Sequence, residues 1–150
     1  MQIFVGSDHN GFAMKQEVIS YLQKSGHSTV DVGDKKLDPN DDFPVFAAKA
    51  VTAIKTSNDP DSRAILICGS GQGMMIAANR FKGIRAGLGW SVEAAKGIRN
   101  DEDSNVLALP SELLTTNKEL AHNVINAWLD TPFAGAARYK RRNQELDDLQ

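Results

Sequence analysis

The chain has 150 residues, the size of one ordinary domain, and its 41% hydrophobic and 24% charged residues are typical of a folded globular protein. A formal net charge of −2 gives no reason to expect a nucleic acid partner. The single cysteine excludes an intramolecular disulfide, and no apolar run approaches the roughly 20 residues of a membrane span. We therefore expect one domain over residues 1–150, in the cytosol and away from membranes.

Short apolar runs alternate with segments of helical spacing along the whole chain. The runs predict five strands, at residues 2–5, 29–32, 64–67, 84–88 and 106–109. Helical spacing predicts helices over 14–22, 46–54, 75–80, 92–99 and 120–129, and a charged C-terminal helix follows Phe133. This alternation predicts a three-layer αβα Rossmann-like fold, in which a five-stranded parallel sheet carries helices on both faces. Ligands of such folds bind beyond the carboxyl ends of the strands.

The loop after the first strand carries Asp8 and His9. At a strand end a carboxylate can accept hydrogen bonds from sugar hydroxyls, and an imidazole can donate one to a phosphate. The alternative is structural: Asp8 caps the following helix and His9 is a surface histidine.

The loop after the third strand, Cys-Gly-Ser-Gly-Gln-Gly, places three glycines within five residues of Cys68. Such a loop can direct several backbone N–H groups into one small volume and so bind an anion. It lacks the lysine of a nucleotide-binding P-loop, and its spacing differs from the dinucleotide pattern. A thiol beside such amides loses its proton more readily, and the amides can stabilise an enediolate. The alternative is a buried cysteine followed by a turn.

Two further polar segments lie toward the C-terminus. Arg138 and Arg142 are four residues apart, so they share one helix face, and two guanidinium groups there suit a phosphate dianion. The alternative is a solvated basic helix end. The polar, acidic segment 99–105 reads as a solvated loop before the fifth strand.

Together, the segments GSDHNGF, ICGSGQGM, GIRAGL to SNVLAL and RYKRR resemble the ribose-5-phosphate isomerase B family, which also includes galactose-6-phosphate isomerase subunits. The resemblance covers nearly the whole chain. It implies that no metal or cofactor is needed, and that the protein is a homodimer or homotetramer with active sites between subunits. The C-terminal helix is then expected to reach a partner subunit.

By position, the resemblance implies that Asp8 and His9 bind the substrate and that Cys68 is the base. Arg138 and Arg142 match the phosphate-binding arginines. Some relatives use a glutamate at the position of Met74 as the base, and methionine cannot ionise. The amide groups would come from Gly69, Ser70, Gly71, Gln72 and Gly73.

The chain departs from the family pattern at three places. Asp101 stands where the family has the histidine that protonates the ring oxygen during ring opening, and Glu102 where it has asparagine. Glu112 replaces an arginine expected after the fifth strand, and Tyr139 replaces a histidine in the terminal motif. We expect Asp101 to act as the ring-opening acid and Glu102, beside it, to bind the substrate.

The resulting hypothesis is aldose–ketose isomerisation of a phosphorylated sugar through a cis-enediolate, with ribose 5-phosphate and ribulose 5-phosphate as the default pair. One alternative is an isomerase of a hexose 6-phosphate such as allose or galactose 6-phosphate. The other is a sugar-phosphate-binding subunit without turnover, which the three acidic departures favour.

Overall fold

The computed structural model describes residues 1–149 and confirms the α/β architecture. The strands are β1 (Gln2–Ser7), β2 (Ser28–Asp31), β3 (Arg63–Cys68), β4 (Ala86–Leu88) and β5 (Val106–Pro110). The helices are α1 (Phe12–Lys24), α2 (Phe43–Thr56), α3 (Gln72–Ala78), α4 (Val92–Glu102), α5 (Ser111–Leu114), α6 (Lys118–Asp130) and α7 (Ala137–Asp147), and a single 3₁₀ turn, His9–Gly11, precedes α1.

All strand pairs are parallel, in the order β2-β1-β3-β5-β4. The central strand β3 is buried throughout, as its continuous apolar character predicts. Because side chains alternate across a strand, Ile65 and Ile67 pack on one face of the sheet, whereas Leu66 and Cys68 pack on the other. The first face is covered by α1, α4 and α6, and the second by α2 and α3.

The structure corrects the predicted elements at three places. Helix α4 continues through Glu102 and ends at Asp103, which adopts a left-handed conformation with φ 49°, so Asp101 and Glu102 are helical rather than part of a loop. Strand β4 begins at Ala86 and not at Ile84. The residues after β5 form the short helix α5, which the sequence pattern does not predict.

Helix α7 carries almost no apolar contact surface, as predicted, and Asn143 is its one buried residue. It is attached to its own chain by an ion pair between Asp147 and Arg85, at 3.0 Å, beside the start of β4. Among residues 1–149 no helix is both long and apolar enough to cross a membrane.

Candidate active site

The loop after β1 lies directly against the end of β3. Gly11 makes this approach possible, because a Cβ at this position would lie 2.5 Å from the carbonyl oxygen of Ile67. Any other residue would push the loop away from the sheet. The chain therefore brings Asp8 and His9 beside the strand that ends in Cys68.

The loop after β3 turns sharply at Gly71, whose φ of 75° lies in the left-handed region. A side chain there would be strained, and its Cβ would lie 2.5 Å from a methyl group of Leu88. Cys68 itself is a free thiol at the strand end and is 6% exposed. The glycine loop, residues 69–73, follows it into α3, and Met74 is fully buried in the core.

A third loop, after β5, is joined to the other two by hydrogen bonds. The Ser111 hydroxyl donates to the carbonyl oxygen of Asn10 at 3.0 Å, and the Glu112 amide donates to the carbonyl oxygen of Gly69, also at 3.0 Å. The Glu112 carboxylate lies against Gly69, since a Cβ on that glycine would be 2.8 Å from Oε1. Glu112 therefore places a negative charge beside the glycine loop.

The loop after β2 holds His9. One oxygen of Asp41 accepts hydrogen bonds from the His9 backbone amide at 3.1 Å and from the ring Nδ1 at 2.6 Å. The hydrogen bond to Asp41 is the main cause that raises the pKa of His9, and partial burial opposes it. The ring of Phe43, two residues further on, lies 3.1 Å from where a Cβ on Gly73 would be. This loop thus also borders the glycine loop.

Asp8 is a buried carboxylate, 5% exposed, that accepts a hydrogen bond from the Gly11 amide at 3.1 Å. It therefore does cap the 3₁₀ turn, which was the structural alternative for this residue. Burial nevertheless raises its pKa, with that hydrogen bond opposing the rise. The carboxylate uses one oxygen, Oδ1, for the turn, and a carboxylate at a strand end can also accept a hydrogen bond from a ligand.

We call the side of the sheet where the strands end the carboxyl edge; it brings together Asp8, His9, Asp41, Cys68, the glycine loop and Glu112. Buried and hydrogen-bonded groups surround a loop of backbone amides there, an arrangement that can bind a small anion and exchange a proton with it. Within residues 1–149 no three His, Cys, Asp or Glu side chains are arranged to hold a metal ion.

The remaining predicted residues lie at the opposite, amino edge of the sheet, where the strands begin. Asp101 and Glu102 occupy the last turn of α4, and Arg85, just before β4, donates to the Glu102 carbonyl oxygen at 2.7 Å. Arg138 stacks on the ring of Tyr139 and donates to its hydroxyl at 2.8 Å. That hydrogen bond is the main cause that raises the pKa of Arg138, and the charge of Asp101 also contributes.

Arg142 follows Arg138 by one helical turn on α7 and is exposed. Both ends of α7 stay near the amino edge, because the Ala134 amide, just before the helix, donates to the carbonyl oxygen of Asn100 at 3.0 Å and Asp147 pairs with Arg85. The six residues of β3 separate the two edges by about 17 Å. One chain therefore does not bring the arginines or Asp101 to Cys68.

Asp41 is the site residue that sequence reasoning missed. It is 32 positions from His9, in a loop with several other acids, and no spacing rule connects the two. The sequence did contain one signal for this pair, the acidic loop that follows the second strand. That strand lies beside the first strand in the sheet, so its loop ends up next to His9.

The chain matches known proteins over nearly its whole length. Residues 3–146 match the family described as Ribose/Galactose Isomerase. Ribose-5-phosphate isomerase B of Mycolicibacterium paratuberculosis is 39% identical over 142 residues, which cover 95% of this chain and 87% of that protein. The structure of ribose-5-phosphate isomerase B from Mycoplasma genitalium with bound ribulose-5-phosphate has a TM-score of 0.90 and 32% identity, and the match covers 99% of this chain and 95% of that one.

A relative with a different substrate is also similar. The 4-deoxy-4-sulfo-D-erythrose isomerase of a Clostridium species is 41% identical over 109 residues, which cover 73% of this chain and 67% of that protein.

Proposed function

The chain belongs to the Ribose/Galactose Isomerase family, and we propose that it interconverts ribose 5-phosphate and ribulose 5-phosphate. The observation that carries the proposal is the carboxyl edge, where a buried cysteine, a loop of backbone amides and an Asp–His loop lie side by side. The reaction needs only a proton to move between neighbouring carbon atoms, and these groups are of the kind that move protons and stabilise the resulting anion.

The proton transfer takes place at Cys68. As a thiolate it removes the proton from C2 of the open-chain aldose, and the electron pair of that C–H bond forms the double bond of a cis-enediolate. The thiol then returns the proton to C1 while the proton on O2 moves to O1, which leaves the ketose. Amide groups of residues 69–73 donate hydrogen bonds to the enediolate oxygens, and Asp8 accepts hydrogen bonds from substrate hydroxyls.

The phosphate is bound by His9 and by two arginines from a second copy of the chain. In their own subunit Arg138 and Arg142 lie near the amino edge, about 17 Å along the strands from the edge that carries Cys68. An arginine side chain does not span that distance. We therefore infer a homodimer, or a pair within a homotetramer, in which α7 of each copy faces the carboxyl edge of the other.

The direct test is to incubate the purified protein with ribose 5-phosphate and measure ketose formation. The proposal predicts turnover of ribose 5-phosphate that exceeds turnover of allose 6-phosphate and galactose 6-phosphate. Faster turnover of either hexose phosphate would mean that the hexose phosphate, and not ribose 5-phosphate, is the substrate. Binding of sugar phosphates without any ketose would indicate a non-catalytic subunit.

A second candidate substrate is a four-carbon sugar with an anionic group on C4. The sulfosugar isomerase of the Clostridium species is similar to this chain, and its substrate has no hydroxyl on C4 with which to close a furanose ring. Such a substrate needs no ring opening. Asp101, which replaces the histidine that the resemblance assigns to ring opening, is consistent with that class.

Erythrose 4-phosphate separates the two candidates, because its O4 carries the phosphate and it cannot form a furanose either. A pentose phosphate isomerase has the higher kcat/KM for ribose 5-phosphate. An isomerase of acyclic tetroses has the higher kcat/KM for erythrose 4-phosphate or 4-deoxy-4-sulfo-erythrose.

A further inference from the structure

Asp41 is held at the carboxyl edge in a way that helix capping and loop closure do not require. Its side chain is only 7% exposed, and the same oxygen, Oδ1, accepts both hydrogen bonds from His9. The other oxygen, Oδ2, is buried without a hydrogen-bond partner among residues 1–149. Burying a carboxylate in this way is costly unless a positive charge faces it.

The contact with His9 has the geometry of a charge-assisted hydrogen bond. The distance of 2.6 Å between Nδ1 and Oδ1 is at the short end for a nitrogen donor and a carboxylate. Because a carboxylate only accepts, Nδ1 must carry the proton, which fixes the tautomer and orientation of the ring. The other ring nitrogen, Nε2, has no partner in the part of the chain that the structure describes.

We propose that Asp41 is a positioning residue: by holding Nδ1 of His9, it presents Nε2–H of the charged ring to the phosphate, or sulfonate, of the substrate. This inference rests on the proposed function for the identity of the ligand. Phosphate and sulfonate are both tetrahedral oxyanions, so an imidazolium N–H and two guanidinium groups can bind either of them.

The charges that face His9 all favour its charged form. Asp41 acts most strongly, and Asp8 and Asp38 add smaller contributions, so the pKa of His9 is raised. Since the folded-state pKa lies above the unfolded value, the ring is charged below that pKa and loses its charge as pH rises through it. Oxyanion binding through His9 should fall over the same pH range.

The first measurement is a pH titration of the histidine rings by NMR in the wild-type protein, Asp41→Asn and Asp42→Asn. Asp42 is the matched control, because it is an exposed neighbouring carboxylate whose side chain makes no capping hydrogen bond. We expect the pKa of His9 to fall in Asp41→Asn and to stay unchanged in Asp42→Asn. An unchanged His9 titration in Asp41→Asn would overturn the inference.

The second measurement is binding of inorganic sulfate, which remains a dianion across the pH range of the titration. We expect Asp41→Asn to weaken sulfate binding about tenfold near pH 7.5, and binding to recover near pH 6, where solvent protonates the ring. An equal loss at both pH values would mean that Asp41 only supports the loop, and would also overturn the inference.

The wild-type protein alone supplies a test that does not depend on how variants fold. Above its pKa the neutral His9 ring should carry its proton on Nδ1, and ring ¹⁵N shifts report this; a proton on Nε2 contradicts the inference. Failure of the proposed function is distinguishable, because it would leave the His9 titration intact while no sugar phosphate is isomerised.

Discussion

The two edges of the sheet hold their polar groups in opposite ways. At the carboxyl edge Asp8 and Cys68 are buried, and His9 is fixed by Asp41. At the amino edge Arg138 bonds only to the neighbouring Tyr139, and Arg142 makes no hydrogen bond or ion pair within residues 1–149. The proposed reaction centre is thus preorganised within one chain, whereas the two arginines proposed to bind phosphate are exposed on α7.

The charges of the two edges complement each other. Asp8, Asp41 and Glu112 make the carboxyl edge acidic, and His9 is the only cation-forming side chain among the site residues placed there. A sugar phosphate brings two further negative charges. The arginines of α7 supply the opposite sign, which is the physical reason for placing a partner's amino edge over the carboxyl edge.

The largest effect is expected from removal of the thiol at the carboxyl edge. Cys68→Ala should lower kcat by about 10³-fold, the usual contribution of a general base, with little change in KM. Steady-state kinetics on ribose 5-phosphate measures the loss, and thermal unfolding confirms that the variant is folded. Isomerisation at the wild-type rate would mean that another group moves the proton.

A smaller loss is expected from the amino edge. Arg142→Ala should raise KM for ribose 5-phosphate by about 30-fold, because a charge-assisted hydrogen bond to phosphate is lost. Arg141→Ala is the matched control, since that neighbour forms an exposed ion pair with Glu145 at 3.5 Å. Equal effects of the two substitutions would show that α7 contributes only general positive charge.

Asp101 distinguishes ring opening from proton transfer. If Asp101 is the ring-opening acid, Asp101→Asn should lower kcat/KM about tenfold on ribose 5-phosphate and leave kcat/KM on erythrose 4-phosphate unchanged. Rates on both substrates are compared in one assay series. An equal loss of kcat/KM on both substrates would mean that Asp101 contributes to substrate binding. No loss on either substrate would mean that Asp101 has no part in the mechanism.

The smallest effect is expected at Glu112, whose carboxylate lies against Gly69. Glu112→Gln removes a like charge beside the bound anion, so KM should fall about twofold at low ionic strength, and the difference should vanish in high salt. A rise in KM would instead mean that Glu112 accepts a hydrogen bond from a substrate hydroxyl.

Much of the fold follows from local patterns in the sequence. Continuous apolar runs such as 64–67 mark buried parallel strands, and the glycines after Cys68 mark a turn that only residues without a side chain can make. These signals act over a few residues, so a single sequence is sufficient to read them. They also located Asp8, His9 and Cys68 correctly at the ends of strands.

Two features of the site were not predictable in this way. The pair of His9 and Asp41 forms because β2 lies beside β1, and strand order is not encoded in hydrophobic periodicity. The helical position of Glu102 depends on Asp103, whose left-handed conformation ends α4 later than the apolar spacing indicates. In both cases contacts between distant parts of the chain are involved: β2 pairs with β1, and Arg85 donates to the carbonyl oxygens of Glu102 and Asp103.

The most direct test of the two-edge account is to mix Cys68→Ala with Arg142→Ala after unfolding and refolding them together. Cys68→Ala lacks the thiol of the carboxyl edge, and Arg142→Ala lacks an arginine of the amino edge. A mixed dimer therefore contains one site in which both side chains are present. At ribose 5-phosphate concentrations well below KM we predict recovery of about a quarter of wild-type activity, as random pairing of two subunits requires. Activity no greater than the sum of the two separate variants would contradict the account.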